Sequence, residues 1–276
     1  MPEGDTLFRA ATTLRKAMEG ARLLEMRTPL PVLEVQLEER PLAGQRLVGI
    51  EARGKNLLIA FEDGRVLRTH LRMSGSWHLY RQGEPWLRPE RQSRVSLHAD
   101  NGFVAVCFNA PVVELLSARQ LRDSQVSRLG PDATTDAFDL DEALRRLRAL
   151  PGTVGEALLT QHALAGVGNV IKSEALFICR SDPFTAVASA PEDGLRKLVA
   201  ECHRLLLRNR VAGPRTTRES LDGKRYWVYG RSGKPCRICG TPLRMRRQGP
   251  AARSTYFCSA CQGCDATTLG FAPDKG

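Results

Sequence analysis

The chain has no long hydrophobic run. Nowhere in its 276 residues is there a stretch that approaches the roughly 18 consecutive apolar residues of a membrane-spanning helix. The first residues include Glu3 and Asp5 within a broken apolar pattern, so the basic and apolar regions of a secretory signal peptide are missing. These two absences predict a cytoplasmic protein without a membrane partner.

Acidic residues are outnumbered. The sequence has 41 lysines and arginines against 30 aspartates and glutamates, which gives a formal net charge of +11. A basic protein of this size most often binds nucleic acid or another anionic surface. The apolar fraction of 42% and the charged fraction of 26% are typical of a globular chain, and the length predicts about two domains.

Isolated cysteines are few, which predicts no disulfide framework. Cys107, Cys179 and Cys202 stand singly in apolar or helical stretches, where a cysteine usually fills space in a core. The remaining cysteines are concentrated near the C-terminus, at Cys236, Cys239, Cys258, Cys261 and Cys264.

Doublet spacing of cysteines in a cytosolic chain indicates a metal site. The pairs Cys236-x2-Cys239 and Cys258-x2-Cys261 predict one structural zinc site with four cysteine ligands, which leave no position open for catalysis. One alternative stays open, because Cys264 follows Cys261 at the same spacing. Cys264 is otherwise a spare thiol.

Proline follows the initiator methionine. Because its side chain is small, Met1 can be removed, which would leave Pro2 with a free secondary amine. Such an amine is a nucleophile that forms iminium adducts with aldehydes, and with a pKa of roughly 7.7–8.0 it is partly unprotonated at neutral pH. Glu3 is placed to transfer protons in the same site. The alternative is that Met-Pro-Glu reflects only efficient methionine removal.

The first half of the chain is predicted to be mainly β-structure behind one helix. Apolar residues at helical spacing predict an amphipathic helix over 5–19, which Asp5 or Thr6 caps and whose positive end lies beside Pro2. Turn signals at 62–64 and 100–102 favour antiparallel hairpins in a sandwich or barrel. The predicted strands cover 46–52, 56–61, 65–70, 93–98 and 102–108. Lys55 lies in an Arg-Gly-Lys bend between two of these strands, where a lysine is usually only solvated.

The second half is predicted to be mainly helical. After a short helix beginning at 118 and a linker at 129–135, helical patterns cover 141–150, 153–161, 169–179 and 192–209. The sequence Leu-Ala-Gly-Val-Gly-Asn brings Gly166 and Gly168 before Asn169, which opens a helix. A helix start preceded by such a turn is an anion site, and for a basic protein the anion is a DNA phosphate. An ordinary helical turn explains the glycines equally well.

The segment 204–253 has the strongest charge bias. Fourteen lysines and arginines are opposed by only Glu219 and Asp222, and Tyr226, Trp227 and Tyr229 are interleaved. Neutralising phosphates with this segment would make DNA affinity fall with salt, at a log–log slope of about −0.9 per contact.

Four signals occur in a fixed order: Met-Pro-Glu-Gly, Arg-Gly-Lys, Leu-Ala-Gly-Val-Gly-Asn and the cysteine pairs. Together they resemble the formamidopyrimidine-DNA glycosylase and endonuclease VIII family of base-excision repair enzymes, from Pro2 to about Gln262. The resemblance implies an α+β, multidomain fold: an antiparallel β-sandwich with flanking helices, a helix–two-turn–helix domain and a zinc-finger β-hairpin. The implied domains are a catalytic sandwich at 2–116, a linker and first helices at 117–150, a helix–two-turn–helix domain at 151–225, a zinc finger at 226–262 and a disordered tail at 263–276.

The resemblance also implies roles for single residues. Pro2 matches the nucleophile, Glu3 the residue that assists opening of the sugar ring, and Lys55 the hairpin lysine that contacts phosphate and sugar. Asn169, with Gly168 before it, matches the asparagine that binds phosphate beside the lesion, and Arg253 the zinc-finger arginine on the same backbone. The implied activity is removal of an oxidised base, followed by β- and δ-elimination at the abasic site. This activity needs one structural zinc and no catalytic cofactor. The implied partner is double-stranded DNA with oxidised bases or abasic sites. The enzyme is expected to be monomeric and associated with the nucleoid.

Departures from the pattern favour the endonuclease VIII-like branch, which acts on oxidised pyrimidines. The formamidopyrimidine branch has an Asp-Pro-Arg-Arg-Phe stretch whose Arg and Phe enter the vacated base position, but residues 107–114 contain no such pair. By contrast, 70–76 resembles the formamidopyrimidine branch, with Met73 at a void-filling position and Arg72 replacing the usual glycine. Met73 can equally be a core residue.

Two other functions stay open at this point. A non-catalytic zinc-finger DNA-binding protein that retains the fold would share the basic charge, the glycine turn and the zinc site. A zinc-ribbon factor that binds RNA or the ribosome would share only the C-terminal features. Pro2, Glu3 and Lys55 favour the enzyme over both.

Overall fold

The computed structural model describes residues 2–220 and 222–264. Its internal contacts divide the chain into two compact units, Met1–Leu129 and Gly130–Gly276, called unit 1 and unit 2 below. Of the tail predicted to be disordered, 265–276 lies outside the described residues.

Residues 2–129 of unit 1 form two four-stranded antiparallel sheets and three α-helices. Its elements are α1 Gly4–Met18, β1 Leu23–Arg27, α2 Pro31–Glu39, β2 Leu47–Arg53, β3 Asn56–Phe61, β4 Val66–His70, β5 Ser76–Arg81, β6 Ser93–Ala99, β7 Phe103–Phe108, β8 Val112–Leu116 and α3 Ala118–Asp123. The strand orders are β2-β3-β4-β8 and β1-β6-β7-β5. Leu57 and Leu67 of the first sheet share one core with Leu97 and Ala105 of the second and with Leu7 of α1, which confirms the predicted sandwich.

The five predicted strands and both hairpin turns of unit 1 are confirmed. Gly64 and Gly102 have φ of +83° and +80° at the two turns, as the Asp-Gly and Asn-Gly signals predict. Three strands that the pattern does not predict, β1, β5 and β8, all lie at sheet edges. The prediction was wrong for 31–39, which forms α2 with a proline at its first turn. Only Leu33 of α2 is buried, so the helical period is weak there.

Unit 2 is helical, with one β-hairpin at its C-terminal end. Its elements are α4 Leu140–Arg148, α5 Val154–Ala157, α6 Asn169–Ile178, α7 Glu192–Arg208, β9 Arg244–Gln248, β10 Arg253–Phe257 and α8 Ser259–Gln262. The core is formed by apolar residues from α4, α5, α6 and α7, among them Leu147, Ile171 and Leu205. The predicted helix at 153–161 is a single turn of α-helix, because Leu159 and Thr160 close it with tighter i→i+3 hydrogen bonds to Glu156 and Ala157.

The stretch predicted as a linker at 129–135 is packed in place. Ala133 and Thr134 are fully buried, and the Ala133 N–H donates to the Ala165 carbonyl at 3.1 Å. The segment therefore lies against the glycine turn that precedes α6.

Candidate active site

Pro2 lies immediately before the N-cap of the first helix. Glu3 is the N-cap of α1, and its carbonyl accepts from the N–H groups of Thr6 and Leu7 at 2.9 and 3.2 Å. Glu3 is fully buried and Pro2 is half-buried. The positive end of the helix dipole therefore lies next to Pro2, where it disfavours protonation of an amine.

The predicted cap of α1 was wrong by two to three residues. Because α1 begins at Gly4, Asp5 and Thr6 lie in its first turn and not before it. The Thr6 hydroxyl donates to the Asp5 carboxylate at 3.4 Å. Asp5 is fully buried, and a carboxylate in the first turn favours the helix through the dipole.

Helix α1 and strand β2 run in opposite directions. The Gly20 N–H donates to the Leu47 carbonyl at 2.8 Å, and Arg15 Nε donates to the Ile50 carbonyl at 2.7 Å. Moving back along α1 therefore means moving forward along β2. The start of α1 lies about 16 Å from Arg15, at 1.5 Å per helical residue. The turn after β2 lies about the same distance from Ile50, at about 3.3 Å per strand residue. Pro2, Glu3 and Lys55 are thus brought to the same end of unit 1.

Gly54 and Lys55 form the two-residue turn that joins β2 to β3. Arg53 pairs with Asn56 across the turn, and Gly54 has a φ of +58°, which a glycine adopts without strain at the first central position of such a hairpin. Lys55 is half-buried. A two-residue turn leaves little freedom for its backbone, so the lysine is held at a fixed place at the sheet end.

His70 lies beside Lys55. It ends β4 and pairs with Asn56, and its Nδ1 accepts from the Arg72 N–H at 3.1 Å, so the ring proton is on Nε2. Burial, and then the positive charges of Lys55, Arg68 and Arg72, lower the pKa of His70 to about 4. His70 is therefore a neutral donor at pH 7. The sequence predicted no role for it, although the turns at 54–55 and 62–64 set the register that places it opposite Asn56.

The neutral state of His70 has a consequence for stability. Its folded pKa of about 4 lies below the value of 6.5 for an ordinary histidine, so between these values the unfolded chain binds a proton that the folded chain does not. Stability is therefore retained above pH 6.5 and falls as the pH falls towards 4. We expect His70 to contribute roughly 1–3 kcal/mol of this loss, after allowing for solvent screening of a half-buried ring.

The measurement is the free energy of unfolding at neutral and acidic pH for the wild type and for His70→Asn. Asparagine keeps an acceptor near the position of Nδ1 but does not titrate. The wild type should lose more stability on acidification than the variant. Parallel curves would show that His70 is not held neutral by its surroundings.

Arg72 and Met73 lie in the exposed turn that follows β4. Met73 is 68% exposed, which removes the alternative that it is a core residue. Arg72 has a φ of +44°, a left-handed conformation that costs a non-glycine residue about 1–2 kcal/mol. A glycine would adopt this conformation without that cost. The Ser74 hydroxyl donates to the Asn109 carbonyl at 3.3 Å. The turn is therefore hydrogen-bonded to the connection between β7 and β8.

That connection is short. Only Asn109, Ala110 and Pro111 separate β7 from β8, and Ala110 is buried. Val112 is already paired with His70. Among the residues that the structure describes here, no side chain matches the missing Arg and Phe of the formamidopyrimidine branch.

In unit 2, the glycine turn ends at the start of α6. Gly166 has a φ of +92°, and a Cβ there would lie 3.0 Å from the Thr134 side chain. Helix α6 begins at Asn169, as predicted, and Gly168 is its N-cap. Asn169 is 8% exposed, and its Oδ1 has no hydrogen-bond partner within the described residues. The side-chain NH2 group of Asn169 is a donor at a helix start, where the free backbone N–H groups also favour an anion.

Glu174 is a functional candidate that the sequence did not indicate. Its fully buried carboxylate accepts from the N–H groups of Trp227, Val228 and Tyr229, at 2.8, 2.8 and 2.7 Å, and from the Thr217 hydroxyl. Burial raises the pKa of Glu174, while these hydrogen bonds oppose that rise. Helix α6 thereby holds the segment that leads into the zinc finger. The distance of 53–55 residues along the chain hides this contact from sequence patterns.

The four predicted zinc ligands lie together. The Sγ atoms of Cys236, Cys239, Cys258 and Cys261 are all within 4.8 Å of one another, with 3.5 Å between Cys239 and Cys258 and 3.8 Å between Cys236 and Cys261. Zinc bonds of about 2.3 Å in a tetrahedron require sulfur atoms about 3.8 Å apart. The residues present therefore fit one structural zinc ion.

Cys264 is not part of this cluster. It is buried against Phe257 and Phe184, which resolves the ambiguity left by its spacing.

Part of the basic segment is neutralised within unit 2. Arg208 and Arg204 both reach Glu219, at 2.6 and 3.5 Å, and Arg218 reaches Asp222 at 2.7 Å. By contrast, Arg246, Arg247 and Arg253 of the hairpin are exposed. The hairpin is therefore the more accessible source of positive charge. Among residues 2–220 and 222–264, no helix is long and apolar enough to cross a membrane.

Three family models match successive parts of the chain. The formamidopyrimidine-DNA glycosylase N-terminal domain matches residues 1–111, the H2TH domain of the same glycosylase matches 129–220, and the zinc finger found in FPG and IleRS matches 233–263. A probable endonuclease 8 2 from Streptomyces coelicolor is 37% identical over 274 residues, which cover 98% of this chain and 97% of that protein. The chain belongs to the formamidopyrimidine-DNA glycosylase and endonuclease 8 family.

Other family members agree over the same length. The DNA-(apurinic or apyrimidinic site) lyase Nei2 of Mycolicibacterium smegmatis is 35% identical over 264 residues, covering 95% of this chain and 99% of that protein. Lactococcus lactis Fpg, solved in complex with DNA containing N7-benzyl-Fapy-dG, is 25% identical with a TM-score of 0.79, covering 95% of this chain and 99% of that chain. The predicted family, fold and zinc finger are thus confirmed.

Proposed function

We propose that this chain is a bifunctional DNA glycosylase and abasic-site lyase of the endonuclease VIII-like branch, with Pro2 as its nucleophile. The observation that carries the proposal is the convergence of the α1 start, the Lys55 turn and the end of β4 at one end of unit 1. Membership of the glycosylase family supports the same reaction. A non-catalytic protein that retains the fold would share this geometry, so the identities of Pro2, Glu3 and Lys55 are what favour the enzyme over it.

The reaction follows from an amine next to a carboxyl group. The Pro2 nitrogen attacks C1′ of a damaged nucleotide that has left the base stack. The bond from C1′ to the base breaks, the base leaves with a proton, and Glu3 protonates the ring oxygen so that the sugar opens to an iminium. Loss of the acidified C2′ proton expels the 3′ phosphate, and a second elimination expels the 5′ phosphate. Water then releases the sugar fragment and regenerates the amine, without a catalytic cofactor.

The remaining site residues hold the DNA. Lys55 is a fixed cation beside the reacting sugar, with neutral His70 as a hydrogen-bond donor next to it. In unit 2, Gly168 and Asn169 at the start of α6 and Arg253 on the hairpin bind phosphates of the backbone. Exposed Met73 enters the space that the flipped nucleotide vacates. The enzyme acts in the cytoplasm, on the DNA of the nucleoid.

The favoured lesions are oxidised pyrimidines. The short connection at 109–111 has no Arg and Phe to fill the vacated space from that side. Met73 and Arg72, in the turn after β4, are the exposed side chains nearby. The lack of an Arg and Phe pair in 107–114 is what favours the endonuclease VIII-like branch, whereas the turn that contains Met73 resembles the formamidopyrimidine branch.

Borohydride trapping tests the reaction directly. Protein shown to begin at Pro2 is mixed with duplex DNA that carries an abasic site, 5-hydroxyuracil or a formamidopyrimidine guanine, and is then reduced. We expect a covalent adduct with the abasic site and 5-hydroxyuracil, formed faster than with the purine lesion. If no adduct forms with any of the three duplexes, the enzyme proposal fails; if the purine lesion reacts fastest, only the lesion class fails.

A further inference from the structure

Helix α6 carries a buried lysine that bonds to the zinc-finger hairpin. Lys172 is fully buried. Its ammonium donates to the Ser254 carbonyl at 3.0 Å and to the Thr255 hydroxyl at 2.6 Å. A charge wholly removed from water is costly unless it is hydrogen-bonded, so a lysine at this position requires strand β10 to lie where it does.

The hydrogen bonds that begin at Lys172 have only one possible direction. An ammonium group can only donate, so the Thr255 hydroxyl accepts from it and donates onward to Gln248 Oε1. The Gln248 amide nitrogen then donates to the Pro183 carbonyl at 3.1 Å and to the Thr153 hydroxyl at 3.2 Å. These hydrogen bonds thus link α6, both strands of the hairpin, the loop before α5 and the loop after α6. Reversing the donor and acceptor of any of these hydrogen bonds would leave a buried polar atom without a partner.

These bonds surround Arg253 without touching its side chain. Ser254, whose carbonyl Lys172 holds, is the next residue in β10, and Gln248 is the cross-strand partner of Arg253. The backbone of Arg253 is therefore fixed on two sides. Asn169 lies on the same helix as Lys172 and one turn before it, at a spacing of three residues.

We propose that Lys172 is a positioning residue that fixes Arg253 relative to the start of α6, so that Arg253 and Asn169 bind the DNA backbone as one rigid pair. The inference rests on the proposed function only in taking DNA as the ligand. Because Lys172 is buried, it releases no counterions itself when DNA binds. Any part of the salt dependence that is lost with Lys172 must therefore be lost through an exposed cation.

The test is a salt series of binding to duplex DNA with a reduced, uncleavable abasic site, measured by fluorescence anisotropy. The variants are Lys172→Met, which fills a similar volume without a charge, Arg253→Ala, and the double variant. We expect Lys172→Met and Arg253→Ala each to lower the log–log salt slope by about 0.9, the value for one phosphate contact. The double variant should lose no more than either single variant, because both remove the same contact.

Two controls separate positioning from charge and from misfolding. Lys197→Met makes the same change at an exposed position on α7 and should leave the slope unchanged. Thr255→Val keeps the Lys172 charge but breaks the hydrogen-bond chain, and it should lower the slope in part. Zinc content is measured for every variant and should stay at one per chain. If Lys172→Met does not fold, Thr255→Val alone decides between the outcomes.

A wild-type slope in both Lys172→Met and Thr255→Val would overturn the proposal. So would a double variant whose loss is the sum of the two single losses, since Lys172 and Arg253 would then act separately. The outcome is independent of the chemistry at Pro2. If borohydride traps no adduct but these slopes change as expected, the proposed function fails and the positioning role stands.

Discussion

Replacing Pro2 with glycine should lower the rate of strand cutting at an abasic site by about a hundredfold, equivalent to about 2.7 kcal/mol of barrier. A secondary amine forms an iminium that is permanently charged, whereas the primary amine of glycine forms an imine that must first be protonated. Affinity for DNA should stay close to that of the wild type, because the phosphate contacts lie elsewhere. The measurement is single-turnover cutting of an abasic duplex beside anisotropy with an uncleavable one.

A matched control uses the wild-type sequence with Met1 retained. Its Pro2 nitrogen is an amide without a nucleophilic lone pair, so it should bind DNA and form no adduct. Cutting by Pro2→Gly at the wild-type rate would move the nucleophile to another residue, with Lys55 the first to be examined. The pair of proteins therefore distinguishes loss of the amine from loss of the proline ring.

The second large effect is expected at the zinc site. Cys258→Ser should abolish stable zinc binding and unfold residues 233–262, because the metal supplies roughly 10–16 kcal/mol to such a finger. The apolar core of the finger is too small to replace it. Val228, Leu243 and two zinc ligands form one small cluster with Phe177 of α6, and Phe257 forms another with Cys264 and Phe184. DNA affinity should fall together with the zinc content, as measured with a chromogenic chelator and by anisotropy.

Cys264→Ser is the matched control, since it makes the same change to a buried cysteine outside the sulfur cluster. It should keep one zinc per chain. A Cys258→Ser protein that retained a full complement of zinc and normal DNA affinity would refute the ligand assignment. Zinc loss in Cys264→Ser alone would restore the alternative ligand pair.

The sequence predicted those features whose signals are local. Two turn signals, each between two strand-like runs, define β3, β4, β6 and β7, and cysteine spacing alone defines the zinc ligands. The strands β1, β5 and β8 escape prediction because few of their residues are buried, whereas β2, which is also at a sheet edge, is predicted. The pattern in β5, for example, has one buried residue among six.

The candidate site also has parts with local sequence signals and parts without them. Pro2, Glu3, Lys55 and Asn169 lie in short motifs that identify the family, but the convergence of the first three in unit 1 depends on the opposed directions of α1 and β2. His70 acquires its low pKa from residues on three different elements, and Lys172 bonds to a residue 82 positions away. Neither effect is present in any short window of sequence.

The burial of Glu3 directly after Pro2 has a practical consequence for anyone who prepares the protein. With Glu3 fully buried as the cap of α1, the chain has no spare residues between the Pro2 nitrogen, the proposed nucleophile, and the folded core. An affinity tag fused to the N-terminus would therefore yield a folded, zinc-loaded, DNA-binding protein that cuts nothing. Tags belong at the other end, or must be cleaved by a protease that leaves proline as the first residue.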